Sequence, residues 1–554
     1  MRPTRLAPHN PPHQNLSALW CAEKQRLETN GRLESATQSR WSQYFTGAKL
    51  ASWMASWFDA PSFHLRLLDA GAGVGSLSAA FISEMCARAH LPSATRPREL
   101  DIVAYEVDAD LLPALRRTLE AGEAECEAAG ISLRFEVVNS DFIEAGCAAL
   151  TTGLFSESSP LHGGFNCAFL NPPYQKIGAK SPARRALSQV GIETGNLYSA
   201  FVWLAMRLLE PGGELIAITP RSFCNGPYFK PFRLALRDTT QFRRFHVFES
   251  RREAFKEGDV LQENIIFHTL KRVAPRNRYA PNADPILLST GPHPEDGTVH
   301  QQMVPMTDVL RPQNPDAFFY LGTQDLRQGM ATEKPTGLNS GLLELGLSVS
   351  TGRVVAFRVK ESLRAFPNID SDEDTAHHLA PLIYPLHFHG RGIAWSRKEA
   401  RKPNALVRSQ STESLLCEPG IYVLVKRLSS KEQSKRLVAV VFDSQALGAL
   451  WQNARVGFEN HLNYFHRGGA GLGRVLAEGL AAFLNSTFAD NCFRAFNGHT
   501  QVNATDLRSL SYPSTGELEA LGAAILKSSN RDSAPFDVLS QEQLDALVES
   551  LVSL

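Results

Sequence analysis

Several features that mark common protein classes are missing from this 554-residue chain. Its eight cysteines include no Cys-x-x-Cys pair, which argues against a structural zinc site or a disulfide framework and favours a reducing compartment. No apolar run reaches the roughly 20 residues that cross a bilayer. The first fifteen residues contain four prolines and no apolar core, so they do not resemble a secretory signal. These absences predict a soluble cytoplasmic protein.

An excess of charge of either sign is also absent, because 57 basic residues balance 57 acidic residues. The overall charge therefore gives no indication of a nucleic-acid partner, and any such partner must bind a local basic surface. With 43% hydrophobic and 21% charged residues, the composition is that of a folded protein. The length suits two or three domains.

Apolar, strand-like runs alternate with amphipathic, helix-like stretches over the first half of the chain. This alternation predicts an α/β fold with a mostly parallel, doubly wound sheet. Ligands bind such sheets beyond the carboxyl ends of the strands, so we expect the chemistry just after each strand. The predicted strands lie at 65–70, 100–107, 133–139, 166–171, 213–220, 243–249 and 263–270, with helices near 76–88, 109–129 and 196–209.

The pattern changes near Arg272. Five prolines between Pro275 and Gly297 are typical of a connector. Short strands are predicted beyond it, at 421–427 and 436–442, and a helix at 475–484. We expect five segments: an N-terminal arm and helix at 1–40, an α/β domain at 41–275, a connector at 276–340, an α+β domain at 341–515 and a helical tail at 516–554.

A glycine-rich turn, Asp69-Ala-Gly71-Ala-Gly73-Val-Gly75, follows the first predicted strand. Glycines allow a tight turn and let a ligand approach the backbone and the helix N-terminus. An acidic residue before the first glycine suits a ligand with a positive amino group, such as S-adenosylmethionine, better than a pyrophosphate. A nucleotide site, or a turn that binds nothing, remains the alternative.

The second and third predicted strands also end in acidic residues. Glu106 follows the second strand, where a carboxylate can accept from both ribose hydroxyls of an adenosyl ligand. Asp141 and Phe142 follow the third, where a carboxylate can accept from the amino group of an adenine while the ring packs on its plane. The alternatives are a solvated strand-end carboxylate and an Asp that caps a turn.

The tetrapeptide Asn171-Pro172-Pro173-Tyr174 follows the fourth predicted strand. The exocyclic amino group of adenine is a poor nucleophile because its lone pair is delocalised into the ring. The Asn171 side-chain oxygen and the Pro172 carbonyl can accept its two hydrogens and direct the lone pair at a methylsulfonium, while Tyr174 offers a stacking face. Cytosine C5 chemistry would need a nucleophilic cysteine, typically after proline, and the chain has no Pro-Cys pair.

The order of these motifs resembles that of the gamma-class DNA adenine-N6 methyltransferases, the TaqI-like group. Segments such as NLYSAF (196–201), VLQENII (260–266) and FNGHTQVNATDL (496–507) look more specifically like the modification methylases of the PstI and BsuBI type. The resemblance extends over most of 40–515. It implies a bacterial enzyme that transfers a methyl group from S-adenosylmethionine to adenine in duplex DNA, within CTGCAG, with residues 41–275 as the catalytic domain and 341–515 as the target-recognition domain. It also implies a separate restriction endonuclease that shares this site. A palindrome can be methylated one strand at a time, so we expect a monomer, and we expect no metal.

The resemblance further implies roles for individual residues. Asp69 and Gly71 would bound the methionine end of the donor, with Thr46 nearby, and Tyr44 and Gly73 would also belong to the donor site. Glu106 would hold the ribose, and Asp141 with Phe142 the donor's adenine. Asn171, Pro172, Pro173 and Tyr174 would hold the target adenine. Phe229 or Tyr228 would pack on the other face of that base, with Phe229 favoured by an ungapped comparison and ordinary helix core as the alternative.

Contacts to DNA are predicted from local charge and from family segments. Residues 391–440 contain eleven basic and four acidic residues, which suits a phosphate-binding groove or a solvated surface. Arg353, His499, Gln501 and Asn503 match family segments and are the preferred DNA contacts.

Three other functions compete with this interpretation. A methyltransferase acting on RNA or on a protein glutamine can use the same tetrapeptide, although such enzymes usually lack a large second domain. A catalytically idle DNA-binding subunit conflicts with the intact Asn171–Tyr174 motif. A fused nuclease would need a paired-carboxylate and lysine cluster, which the sequence does not show.

Overall fold

A computed structural model of the chain forms two compact units, Met1–Arg327 and Gln328–Leu554. The structure describes residues 17–32, 45–89, 96–152, 159–162, 164–248, 263–273, 284–312, 314–322, 338, 340–365, 378–390, 392–395, 402–429, 433–497, 501–528 and 539–552. None of the helices in these ranges is long and apolar enough to span a membrane.

The first unit is built on a nine-stranded sheet. Its strands are β1 (His64–Ala70), β2 (Glu99–Tyr105), β3 (Ser132–Val138), β4 (Phe165–Leu170), β5 (Leu209–Pro220), β6 (Thr240–Val247), β7 (Asn264–Lys271), β8 (Pro285–Thr290) and β9 (His300–Pro305). Their order is β3-β2-β1-β4-β5-β7-β6-β8-β9. The first five strands in this order are parallel, and β7 is antiparallel to both of its neighbours. The strand order reverses between β1 and β4, so their carboxyl ends lie side by side.

Helices cover both faces of this sheet because the strands are apolar on both faces. In β1, for example, Leu67 joins one hydrophobic core and Leu68 the other. Helices α1 to α4 pack together on the first face, and α5, α6 and α7 on the second. The helices are α1 (Ala18–Arg32), α2 (Ala48–Ala55), α3 (Ser76–Ala89), α4 (Leu112–Ala129), α5 (Phe142–Thr152), α6 (Pro182–Gln189), α7 (Leu197–Leu208), α8 (Lys230–Thr239) and α9 (Met306–Val309).

The doubly wound α/β prediction is confirmed, and each of the seven predicted strands is present within a few residues. The structure differs from the sequence interpretation at the predicted connector, 276–340. There β8 and β9 extend the sheet beyond β6. Pro285 begins β8 and Pro305 ends β9, and prolines are tolerated at strand ends and edges. A proline-rich composition therefore concealed two strands of the first unit.

The second unit is α+β and contains smaller sheets. Their orders are β10-β20-β17-β18, β11-β15-β12-β19-β16 and β13-β14. The strands are β10 (Ser348–Thr351), β11 (Leu363–Arg364), β12 (Leu379–Ile383), β13 (Phe388–His389), β14 (Gly392–Ile393), β15 (Ala405–Val407), β16 (Leu416–Cys417), β17 (Ile421–Lys426), β18 (Ala439–Asp443), β19 (Val456–Phe458) and β20 (Leu462–His466).

The predicted tail is part of the second unit. Helix α13 packs so closely on α10 that a Cβ atom at Gly479 would lie 1.8 Å from the Leu518 carbonyl oxygen. Two glycines, Gly479 and Gly522, thus let the helix backbones touch. The helices are α10 (Arg474–Leu484), α11 (Thr487–Phe496), α12 (Ala504–Arg508), α13 (Thr515–Ser528) and α14 (Gln541–Val552).

Candidate active site

A pocket opens at the carboxyl ends of the central parallel strands of the first unit. Its walls come from the segments that follow β1, β2, β3 and β4, together with the approach to α2 and the start of α7. Nine residues singled out from the sequence line it: Thr46, Gly71, Gly73, Glu106, Asp141, Phe142, Asn171, Pro172 and Pro173.

The glycine-rich turn brings backbone, not side chains, to the pocket. Gly71 and Gly73 have φ angles of 79° and 58°, a left-handed region that favours glycine. A Cβ atom on Gly73 would lie 2.9 Å from the Phe45 ring. The Gly71 N–H donates to the Tyr105 carbonyl at 2.9 Å and ties the turn to β2. A larger residue at position 73 would require the Phe45 ring to move, and the positive φ angle disfavours it as well.

Glu106 lies in the pocket wall with only 6% of its surface exposed. Its Oε2 accepts from the Gly73 N–H and its Oε1 from the Asp108 N–H, both at 2.8 Å. Burial raises the pKa of Glu106, although these two N–H donors act in the opposite direction. Each carboxylate oxygen has a second lone pair, so the side chain can still accept from a ligand hydroxyl.

Asp69 does not line this pocket. It is fully buried behind the glycine turn, where its Oδ2 accepts from the Ser78 hydroxyl of α3 at 2.6 Å. Burial raises its pKa to about 7. In the structure Asp69 therefore joins the turn to the helix and lies outside the pocket lining.

The Asp141 carboxylate caps a helix and also lies in the pocket wall. The Asp141 Oδ1 accepts from the Ile143 N–H at 2.7 Å and so caps the start of α5. The same residue also lines the pocket. Phe142 is buried and packs on Tyr105 and Phe201, with ring centroids 5.6 and 5.1 Å away.

The Asn171–Tyr174 motif follows β4 directly, beside the glycine turn. The Asn171 Nδ2 donates to the Thr46 hydroxyl at 3.0 Å, and its Oδ1 accepts from the Tyr174 hydroxyl at 3.4 Å. The bond to Thr46 orients the amide, with its nitrogen towards Thr46 and its oxygen towards Tyr174. Thr46, selected from the sequence as a donor contact, therefore also positions Asn171.

An aromatic cluster stands next to this motif. The Tyr198 ring lies 6.4 Å from Tyr174 and 5.5 Å from Phe229, and its hydroxyl shares a 2.9 Å hydrogen bond with Ser222. Phe229 is only 5% exposed and belongs to the core, whereas neighbouring Tyr228 is 55% exposed. Exposure therefore favours Tyr228 over Phe229, and neither of the two residues lines the pocket.

Two candidate positions fall outside the described residues, and the sequence analysis did not select one neighbour of the motif. Tyr44 and His499 lie outside them. Tyr198 was not selected from the sequence, although it lies in the NLYSAF segment, and Leu197 and Phe201 of that segment line the pocket. Among the described residues, no group of three or more His, Cys, Asp and Glu side chains has the arrangement of a metal site.

The second unit gathers polar residues at one end of its four-stranded sheet. Arg427, just after β17, donates to the Asn460 carbonyl at 3.1 Å and to the side-chain oxygens of Gln501 and Asn503 at 3.4 and 3.5 Å. Arg353 follows β10 at the same end and donates to the Ser414 carbonyl at 3.3 Å. Three of the four predicted DNA contacts thus lie on segments that meet here.

The basic stretch 391–440 divides into different environments. Arg436 is buried and donates to Asn497 at 2.9 Å, which makes it part of the fold. Arg408 pairs with Glu413 at 3.2 Å. Lys402 and Lys426 lie over the rings of Tyr384 and Phe388. Five of the basic residues lie outside the described residues: Arg391, Arg397, Lys398, Arg401 and Lys431.

Two curated proteins are similar to this chain over almost their whole length. Type II methyltransferase M.PstI of Providencia stuartii is 38% identical over 529 residues, which cover 96% of each chain. Type II methyltransferase M.BsuBI of Bacillus subtilis is 36% identical over 534 residues, 96% of this chain and 97% of the relative. The chain belongs to the type II methyltransferases. These are the DNA methyltransferases of restriction–modification systems.

Two further comparisons concern parts of this type II methyltransferase and its fold. Residues 132–255, which include the Asn171–Tyr174 motif, match the family described as Eco57I restriction-modification methylase. The type IIG restriction endonuclease BpuSI is similar in structure with a TM-score of 0.43 and 12% identity, covering 97% of this chain and 67% of its own.

Proposed function

We propose that this type II methyltransferase moves a methyl group from S-adenosylmethionine to the N6 atom of adenine in duplex DNA. The observation that carries the proposal is the Asn171 amide, which is oriented by Thr46 at the edge of a pocket that also contains Glu106. A carboxylate for a ribose and an amide acceptor for an amino group thus face one cavity.

The donor site is assigned from the pocket wall. Glu106 accepts from the ribose hydroxyls, and the backbone turn at Gly71 and Gly73 lies against the methionine end. Asp141 accepts from the amino group of the donor's adenine, and the Phe142 ring packs on the plane of that base. The bound donor supplies an electrophilic methyl group on a positively charged sulfur. No metal is needed, because the residues only position and polarise the reactants.

The acceptor site is assigned to the Asn171–Tyr174 motif. The Asn171 Oδ1 and the Pro172 carbonyl accept the two hydrogens of the target amino group, which directs the nitrogen lone pair towards the methyl group. Because this amino group is unreachable inside the base stack, the adenine swings out of the duplex. Tyr174 stacks on one face, and the exposed Tyr228 is the better candidate than Phe229 for the other.

Sequence recognition is assigned to the second unit, with Arg353, Gln501 and Asn503 as contacts and Arg427 added by the structure. His499, from the same sequence segment, belongs to this proposal on resemblance alone. The PstI- and BsuBI-like segments indicate CTGCAG as the site. A monomer suffices, because a palindrome can be methylated one strand at a time. The setting is the bacterial cytoplasm, beside a restriction endonuclease that reads the same sequence.

Tritiated methyl transfer from S-adenosylmethionine to DNA, RNA and protein, assayed side by side, tests the proposed chemistry. We expect label in DNA only, recovered as N6-methyladenine. Label in RNA or on glutamine would instead favour the alternative use of the same motif, and N4-methylcytosine would exclude adenine as the target.

Long-read sequencing of DNA from cells that express the protein tests the proposed site. Modified adenines should occur within CTGCAG. Modification centred on another sequence would overturn the specificity and leave the chemistry intact.

A further inference from the structure

Among the described residues of the second unit, one phenylalanine is highly exposed. Phe357 is 78% exposed, in a short 3-10 turn formed by Ala356–Arg358. A ring this large would stabilise the fold if it were buried in a core, and an exposed ring does not contribute that stabilisation. The DNA contacts assigned above include Arg353 of the same segment, but they leave Phe357 without a role.

The segment that carries this ring is anchored at both ends. Val354 is completely buried, and Val359 and Leu363 pack on the core cluster that contains Leu382 and Leu406. Beyond the turn, the chain continues into β11, which pairs with β15. The backbone is therefore held in place on the unit, and the Phe357 ring points away from a core that its neighbours enter.

The segment that carries the exposed ring is rich in cations. Arg353, Arg358, Lys360 and Arg364 are all exposed, and the only acidic residue between positions 353 and 364 is Glu361. The Arg358 guanidinium lies 5.7 Å from the centre of the Phe357 ring.

These four cations differ from others of the same unit. Arg455, Arg474 and Arg494 form ion pairs with Glu413, Asp443 and Asp490 at 2.8, 2.9 and 2.6 Å. Within the described ranges, no ion pair joins any of the four cations around Phe357 to a carboxylate. Their charge is thus available to an anionic partner.

We propose that residues 353–364, the Phe357 surface, bind duplex DNA, with Arg358, Lys360 and Arg364 on phosphates and the Phe357 ring wedged against the base stack. Duplex DNA suits both features, because it combines a regular array of anions with flat apolar rings at its base steps. The anchored segment presents the ring without a cost of ordering the backbone on binding. The inference rests on the proposed function and adds a surface to it.

Equilibrium binding of the full-length protein to a fluorescein-labelled CTGCAG duplex, measured by anisotropy over a range of salt concentrations, separates the two kinds of contact. Phe357→Ala should weaken binding by about 5- to 100-fold, the range for loss of one aromatic–base stacking contact. It should leave the salt dependence unchanged, since it removes no charge. Phe357→Trp should retain the affinity.

Substitution of the cations should have the opposite signature. Lys360→Ala and Arg358→Ala should each reduce the slope of log affinity against log salt by about 0.9 per lost phosphate contact. A third variant, Arg364→Ala, should behave in the same way, and a salt slope that is unchanged in all three variants would exclude phosphate contacts at this surface.

Two matched variants serve as controls. Leu343→Ala removes an apolar side chain that is 91% exposed but has Glu344 beside it, and Lys527→Ala removes an exposed cation on α13. Both should bind DNA as wild type does. An equal loss of affinity in Leu343→Ala and Phe357→Ala would show a general effect of apolar surface and overturn the proposal.

The outcome for this surface is distinguishable from that for the proposed function. If wild-type protein neither binds nor methylates duplex DNA, the proposed function fails. If it does both, and Phe357→Ala binds as tightly as wild type, then only the Phe357 surface is refuted. The unfolding temperature of each variant is also measured, and a value equal to that of wild type will show that the fold is intact.

Discussion

The pocket of the first unit and the polar cluster of the second are built in different ways. In the pocket, Glu106 follows β2 and Asn171 follows β4, and the parallel strand β1 between them places both residues at the same edge of one sheet. In the polar cluster, Arg427 meets Gln501 and Asn503 from more than 70 residues away along the chain. The pocket therefore follows from the regular order of strands in a sheet. The polar cluster depends instead on how irregular segments, distant along the chain, pack together.

This difference predicts a division of labour. A regular sheet edge holds a fixed set of groups for one donor and one kind of amino group. A cluster assembled from loops can change side chains without disturbing a sheet, which suits the recognition of different DNA sequences. We therefore expect substitutions in the first unit to change catalysis and those in the second to change DNA affinity and site preference.

The largest expected effect comes from removing the second unit. A chain ending at Arg327 keeps every residue that lines the pocket, so we expect donor binding measured by calorimetry to persist. Site-specific DNA binding should disappear, which amounts to about 10³-fold or more relative to non-specific binding. A chain ending at Arg272 is not equivalent, because it also lacks β8 and β9. Selective methylation of CTGCAG by the shorter protein would break the proposed division.

Within the pocket, Asn171→Ala should reduce kcat by about 10²–10³-fold, because it removes one acceptor of the target amino group. Donor affinity should change little. Thr46→Val should show a smaller loss of kcat, since it only releases the Asn171 amide, and Thr46→Ser should restore activity. Single-turnover methyl transfer measures these effects, and near-normal activity of Asn171→Ala would exclude the assigned acceptor role.

The burial of Asp69 behind the glycine turn can be tested through the pH dependence of stability, because burial raises its pKa. Its pKa rises from 3.8 unfolded to about 7 in the fold, so the folded state binds the proton more tightly. The associated stability is complete below about pH 4 and is lost as the pH rises to 7, on the order of a few kcal/mol. Asp69→Asn cannot ionise and retains an acceptor for Ser78. We expect its unfolding temperature to fall less than that of wild type between pH 5 and pH 8. An identical fall in both proteins would contradict the raised pKa.

Glu106→Ala should weaken donor binding by roughly 1–3 kcal/mol through lost charge-assisted hydrogen bonds. Asp110→Ala, an exposed carboxylate four residues further along the chain, provides the matched control and should leave the affinity unchanged. Calorimetry with S-adenosylmethionine measures both. Equal donor affinity for Glu106→Ala and wild type would mean that Glu106 only holds the Gly73 turn.

The first unit was predictable because its signals are local. Alternating apolar strands and helices indicated the doubly wound sheet, and the residues after each strand indicated the pocket. The two strands of the connector were not predictable from composition, because Pro285 and Pro305 stand at strand ends, where proline is tolerated. The NLYSAF segment carries a family likeness, but its sequence does not indicate that the Tyr198 ring lies 6.4 Å from that of Tyr174.

By itself, the sequence determined which residues follow the strands, and so which polar groups gather at the edge of the parallel sheet. Tertiary structure decided which of them face the pocket. Glu106 lies in its wall and Asp69 behind it, although both are acidic residues at strand ends. Tyr228 is exposed and Phe229 is buried, although they are adjacent. The physical reason is that sequence patterns report the period of an element, whereas burial and orientation depend on what packs against it from elsewhere in the chain.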